Sequence, residues 1–161
     1  MKKQEKTNVM RLLEQKKIPY VIHDYSDSSS VAGEDVAKTL GENPEEVFKT
    51  LVTVGKSKNN YVFLVPVCGE LNLKAAAKSV GEKNIEMIKS KELLPLTGYV
   101  HGGCSPIGMK KTFPVVIDSS AQNLQNIFFS AGKIGYQVEM AVSDLPKIIN
   151  FSFYPVCDRT E

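Results

Sequence analysis

The sequence predicts an α+β domain, a mixed and mostly antiparallel sheet with helices packed around it. Three observations carry this prediction. Helical stretches and short β-branched runs are interspersed without a regular strand–helix alternation, which argues against a doubly wound fold. Two of the β-like runs, 47–54 and 61–67, flank a polar turn at 55–60 in the manner of a hairpin. The chain of 161 residues suffices for one hydrophobic core and not comfortably for two. Nothing in it resembles a linker, a repeat or a low-complexity tract, so residues 1–161 read as a single domain.

Taken in order, residues 8–16 form the first helix, with Val9, Leu12 and Leu13 on one face and Pro19 as its stop. Residues 20–25 read as a strand. A second helix at 33–40 ends at Gly41, which suits the left-handed position after a helix. Asn43-Pro44-Glu45-Glu46 combines a cap, a proline and an acid in helix-start order, yet leaves room only for a short turn before the strand at 47–54. An alanine-rich helix follows at 72–78, capped by Asn72 and ended by Gly81. Short apolar strands are expected at 85–88, 99–100, 115–117, 127–129 and 136–140, and a helical turn at 143–149.

Composition narrows the function. No apolar run approaches the roughly 18 residues that would span a bilayer. The charged N-terminus is not a secretory signal, so a cytoplasmic protein without membrane contact is expected. Cys68, Cys104 and Cys157 are widely spaced and odd in number, which fits reduced thiols. There is no cysteine/histidine cluster for a metal and no fingerprint for a cofactor, so neither is expected. With a net charge of only +2, bulk electrostatics would not hold a nucleic acid, and any RNA contact would be local or helped by a second protein.

Four features could carry chemistry. Lys49 alternates onto one face of its strand with Val47 and Leu51, while Phe48, Val52 and Val54 take the other. It either snorkels to an edge or serves a site, since an unpaired buried charge is costly. His101-Gly102-Gly103-Cys104-Ser105-Pro106-Ile107-Gly108 is a loop whose backbone could approach a ligand and offer N–H groups to an anion, or a plain tight connection. Within it, Cys104 and His101 could act as nucleophile and base, although a small buried thiol is the commoner fate of such a cysteine. Ser130 stands at the mouth of a strand–turn–strand unit, 130–135, equally readable as a hairpin tip. No substrate follows from these residues alone.

In order and spacing, these segments resemble the YbaK/EbsC family of Cys-tRNA(Pro) deacylases, relatives of the bacterial prolyl-tRNA synthetase editing domain. The matching pieces are Val47-Phe48-Lys49-Thr50-Leu51, Leu71-Asn72-Leu73-Lys74, Thr97-Gly98-Tyr99 running into the glycine loop, Asp118, and Ser130-Ala131-Gly132-Lys133. The resemblance implies a YbaK-like fold, a mixed sheet curled toward a barrel. It implies that Lys49 helps hold the terminal adenosine and aminoacyl group of a tRNA. Gly102, Gly103, Cys104, Ser105 and Pro106 would match the family's glycine-to-proline loop, whose available backbone N–H groups face the scissile ester, and Tyr25 and Ser130 would line the pocket. The implied chemistry is attack by the substrate's own cysteine thiol on its ester carbonyl, with Cys104 a bystander. Free-standing members of the family work beside prolyl-tRNA synthetase, the implied partner. Gln137 stands where an acidic pocket residue is expected, and Ala32 where a larger aromatic is expected. A wall changed in this way keeps alanine or another small amino acid open as the alternative to cysteine, and a synthetase- or tRNA-end binding module without turnover is the alternative to an enzyme.

Overall fold

The computed structural model describes residues 6–29 and 33–159. Helix α1, Asn8–Gln15, starts where the Thr7 hydroxyl accepts from the Met10 N–H, and it buries Val9, Met10 and Leu13. Its end comes before Pro19. Lys17 turns left-handed with φ 57°, and the N–H of Ile18 closes back on the Leu13 carbonyl at 2.9 Å. The left-handed turn at Lys17 thus comes two residues ahead of the proline.

Strand β1 is Val21–Asp24, and α2 is Gly33–Leu40. Gly41, at φ 68°, ends α2, and the N–H of Glu42 returns to the Ala37 carbonyl at 2.9 Å. After the turn at 43–46 come β2 (Phe48–Gly55), β3 (Asn60–Pro66) and β4 (Gly69–Leu71). Helix α3, Leu73–Val80, is capped by the Asn72 side chain and closed by left-handed Gly81, as expected. Then follow β5 (Ile85–Met87), α4 (Ser90–Thr97), β6 (Val115–Asp118), β7 (Asn126–Lys133), β8 (Tyr136–Ala141), β9 (Phe151–Tyr154) and β10 (Cys157–Arg159).

Five strands form one sheet in the order β5-β2-β3-β6-β9, and β1-β8-β7 form a second. A ribbon of β10 and β4 is the third. The pairs β3–β6 and β6–β9 are parallel and the remaining pairs antiparallel, so the sheet is mixed and mostly antiparallel. The two larger sheets meet at an isolated bridge between Val47 and Phe128 without closing into a barrel, since β5 and β9 stay as edges. The main core lies between them. Phe48, Val52, Val62, Leu64 and Ile117 from the five-stranded sheet pack with Phe129, Val138 and Met140 from the other, and α1 plugs one side. The opposite face of the five-stranded sheet, with Phe63, Val65 and Val116, is covered by Ala76 and Ala77 of α3.

Helix α4 is an element the sequence pattern did not reveal. Residues 99–100 are not a strand, and the turn near 143–149 is a 3₁₀ helix, Val142–Lys147. Among the described residues, no helix is long and apolar enough to cross a membrane.

Candidate functional site

A cleft of about 420 Å³ opens where the start of β2, the glycine loop and the β7–β8 sheet converge. Four consecutive residues of β2, Phe48 to Leu51, border it. Tyr25, Lys49, Gly102, Cys104, Ser130 and Gln137 all reach this one space. Sequence positions up to 112 apart, from Tyr25 to Gln137, are thus brought together by pairing of β1, β8 and β7. Gly103, Ser105 and Pro106 do not border the cleft. They are buried and form the inner side of the loop, where Ser105 accepts from the Ile107 N–H at 3.3 Å. Ala32 lies outside the described residues.

Lys49 emerges from β2 with its side chain 27% exposed, and its Nζ lies 3.6 Å from Oε1 of Glu70 on β4. Glu70 also borders the cleft. The ammonium is therefore accessible from the cleft and weakly held.

The loop approaches its neighbours closely. A Cβ on Gly103 would meet the Ile134 amide nitrogen at 3.1 Å and the Lys133 carbonyl carbon at 3.3 Å, so only glycine fits without displacing backbone. The N–H of Gly103 is already spent on the Val100 carbonyl at 2.9 Å. Among the described residues, the N–H groups of Gly102, Cys104 and Ser105 make no hydrogen bond, and Gly102 and Cys104 border the cleft. Gly102 holds φ at 85°, a conformation that side chains other than glycine resist.

Cys104 is only 8% exposed, and burial pushes its thiol up to about 12. Tyr99 rises to about 12 as well, by burial first and by Cys104 second, and its hydroxyl donates to the Ile107 carbonyl. A thiol in this state is a packing group, because the thiolate is the nucleophile. His101 is exposed.

Strand β7 does not end at Ser130. It runs on to Lys133 through a bulge, the register passing from Ser130↔Gln137 to Lys133↔Tyr136. Gly132, at φ 92°, sits in the bulge against Val9 and Tyr99 and donates its N–H to Ser130 Oγ at 3.1 Å. Asp118 faces elsewhere. Its Oδ1 accepts from the backbone N–H groups of Val156 and Cys157 at 2.9 and 3.0 Å, fastening the chain between β9 and β10.

Two polar residues of the site escaped the sequence reading. Glu42 accepts from Gln137 Nε2 at 2.9 Å, and burial raises its carboxyl pKa. Thr50 borders the cleft with a buried hydroxyl that has no partner; Gln137, which also borders it, has a buried and unpartnered Oε1, and Oε2 of Glu42 is likewise buried without a partner. A buried polar atom left unmet costs about 1–3 kcal/mol, and two of these three, on Thr50 and Gln137, belong to residues that border the cleft, where a ligand can supply the missing partner. No signal short of the fold could pair Glu42 with Gln137. Thr50 is marked only by adjoining Lys49. Among the described residues, no group of three or more His, Cys, Asp or Glu side chains could hold a metal ion.

The signature of the aminoacyl-tRNA editing domain matches residues 28–148. Over 159 residues, 98% of this chain and 97% of the relative, the sequence is 44% identical to the Enterococcus faecalis protein named "Putative Cys-tRNA(Pro)/Cys-tRNA(Cys) deacylase EbsC". Among solved structures, hypothetical protein APE2540 matches with a TM-score of 0.82 at 18% identity, over 93% of this chain and 99% of that one. A structure described as "a putative trans-editing enzyme for prolyl tRNA synthetase" matches with a TM-score of 0.78 at 21% identity, over 94% and 98%. At such identities the two structures speak for the fold alone.

Proposed function

This chain belongs to the aminoacyl-tRNA editing domain family, and from that premise we propose that it is a free-standing deacylase that clears Cys-tRNA(Pro), and also Cys-tRNA(Cys). The observation that carries the reading is the content of the cleft. It gathers a reachable ammonium, Lys49, and two unspent backbone donors, Gly102 and Cys104, while its one loop thiol is buried with a pKa near 12. Such a site can bind and polarise an ester, and it supplies no thiolate of its own.

The reaction that suits it uses the substrate's thiol. The cysteinyl sulfur attacks the ester carbonyl carbon and forms a C–S bond. The C–O bond to the terminal ribose then breaks, its electron pair stays on the ribose oxygen, and that oxygen takes the proton lost by the thiol. The products are a cyclic thiolactone and free tRNA. The protein's part is to hold thiol and carbonyl in attacking geometry and to offer donors to the oxyanion. Lys49 binds the terminal adenosine and aminoacyl group. The N–H groups of Gly102 and Cys104 face the carbonyl oxygen, and Tyr25, Ser130 and Gln137 shape the wall.

The volume suits a small ligand group, here the aminoacylated end of the tRNA. A net charge of +2 leaves the remaining phosphates to a partner, and prolyl-tRNA synthetase is the one proposed. The reaction belongs in the cytoplasm, where charged tRNA is made. Gln137 and Ala32 favour alanine as the alternative amino acid.

Incubation with Cys-tRNA(Pro), Ala-tRNA(Pro) and Pro-tRNA(Pro), for wild type and Lys49→Ala, tests the reading. Rapid loss of the cysteinyl ester alone, abolished by the substitution, is expected. Loss of the alanyl ester instead moves the substrate and keeps the class. No acceleration on any ester, with prolyl-tRNA synthetase present, ends the proposal.

A further inference from the structure

Gln137 is 3% exposed and borders the cleft, and its side-chain amide can present either of two ends there. What settles the choice is Glu42, which reaches it from the turn after α2. The left-handed Gly41 redirects the chain at that point, and the Glu42 N–H is anchored on the Ala37 carbonyl. An ionised carboxylate only accepts hydrogen bonds. It therefore takes the NH₂ end of the amide, as the 2.9 Å contact from Nε2 to Oε1 shows. The carbonyl end, Oε1 of Gln137, is left buried and without a partner, as is the second oxygen of Glu42.

We propose that Glu42 is a positioning residue that fixes the carbonyl end of Gln137 as an acceptor for the ammonium group of the bound aminoacyl ester. This inference rests on the deacylase reading and adds to it the group by which the amino acid is recognised. The strongest donor on an aminoacyl ester is its α-ammonium, whereas the ester carbonyl only accepts. A neutral amide alone would receive either kind of group. With a carboxylate behind it, the amide is oriented one way, and the negative charge adds attraction for a cation. Position 137 itself carries no charge, so the charge of this wall comes from a residue 95 positions away in sequence.

The test compares cysteinyl-tRNA(Pro) with 3-mercaptopropionyl-tRNA(Pro), which keeps the ester and the thiol and lacks the amine, using the full chain. Wild type is expected to favour the amino substrate by about tenfold or more in kcat/KM. In Glu42→Gln the partner can present either end, so the ratio should collapse toward unity, chiefly through KM, while the melting temperature holds. The double variant Glu42→Gln with Gln137→Glu exchanges donor and acceptor. It should restore the ratio, because an oxygen of the carboxylate at 137 again faces the cleft. The proposal is overturned by a wild-type ratio near one, by a Glu42→Gln ratio equal to wild type, or by a double variant that folds normally without recovering the preference. The double variant also decides the matter where the single one fails to fold. Cleavage of both esters with a ratio indifferent to Glu42 removes this inference alone. Cleavage of neither ester by wild type removes the deacylase reading and this inference with it.

Discussion

Nζ of Lys49 and Oε1 of Glu70 stand 3.6 Å apart on the cleft wall, the lysine side chain 27% exposed and the glutamate 71%. A pair so open on one side is worth at most about 1 kcal/mol, so an incoming anionic or carbonyl group displaces Glu70 easily. Glu70→Ala should therefore shift stability by no more than about 1 kcal/mol and leave ester cleavage within about threefold of wild type. Lys49→Ala should lower kcat/KM by about a hundredfold or more with little change in melting temperature. Parallel kinetics and thermal melts on the two variants check the contrast. A Glu70 variant as inactive as the lysine variant would mean that the ion pair, not the ammonium, is what the site needs.

The glycine loop makes a second prediction, with its control in α3. Gly81 has a φ of 73° and open space around it, so alanine there meets backbone strain alone, about 1–2 kcal/mol. Gly103 faces the backbone atoms of Lys133 and Ile134 inside normal contact distance. Gly103→Ala should push the loop off the β7–β8 turn and lower kcat/KM by about tenfold or more, whereas Gly81→Ala should lower only the melting temperature. Equal activity in the two variants would show that the loop's position does not matter to the reaction.

Cys104 sets a third. Burial holds its thiol at about 12 where an ordinary one sits at 9.0, and Tyr99 at about 12 against 10.0. In the unfolded chain both groups lose their protons at pH values where the folded chain keeps them. The folded state thus binds more protons between about pH 9 and 12, and stability falls as pH rises through that window. Below about pH 8 neither group contributes an appreciable slope. Cys104→Ala should make the decline shallower between pH 9 and 10.5, read from denaturant midpoints, and should leave ester cleavage near wild type. At pH 8 iodoacetamide should spare Cys104 in the folded protein and modify it after unfolding. Rapid modification in the folded state, or loss of activity in the alanine variant, would restore the thiol as a nucleophile.

Local chemistry made much of this fold readable. The β-branched residues of β2 and β3, the Asn72 cap and the glycines at 41 and 81 each act on their own neighbourhood, and the structure places them as their chemistry requires. The side chains of Lys49 and Phe48 fall on opposite faces of β2, as alternation predicts. Helix α4 was hidden because Pro95 lies inside it, where a proline reads as a stop, and because, of its eight residues, Thr97 is the buried one, leaving almost no apolar stripe. Strands β9 and β10 are short and owe their existence to distant partners, β6 and β4. The site divides the same way. The unusual loop and lysine announce themselves, but the Glu42–Gln137 contact exists only after α2 and β8 have packed, and Ser105 and Pro106 turned inward for packing reasons that composition does not encode.

Thr50 offers the sharpest separation of stability from function. Its hydroxyl is buried at the cleft and unpartnered, beside Lys49 on β2. Valine has nearly the same shape and suits a strand at least as well, so Thr50→Val removes an unmet polar group at almost no packing cost. Were the hydroxyl idle, the variant would simply be better, gaining about 1 kcal/mol, or roughly 2–4 °C in melting temperature for a domain of this size. If the substrate completes the missing hydrogen bond, the gain in stability comes with a loss in kcat/KM of about fivefold to tenfold. We expect the second pattern, a more stable and slower protein, because that is how residues kept for a ligand behave when the ligand is absent. Thermal melts and cysteinyl-tRNA(Pro) kinetics on the one variant decide it. A rise in melting temperature with full activity would remove Thr50 from the site, and no change in either would mean that the hydroxyl is already satisfied by water.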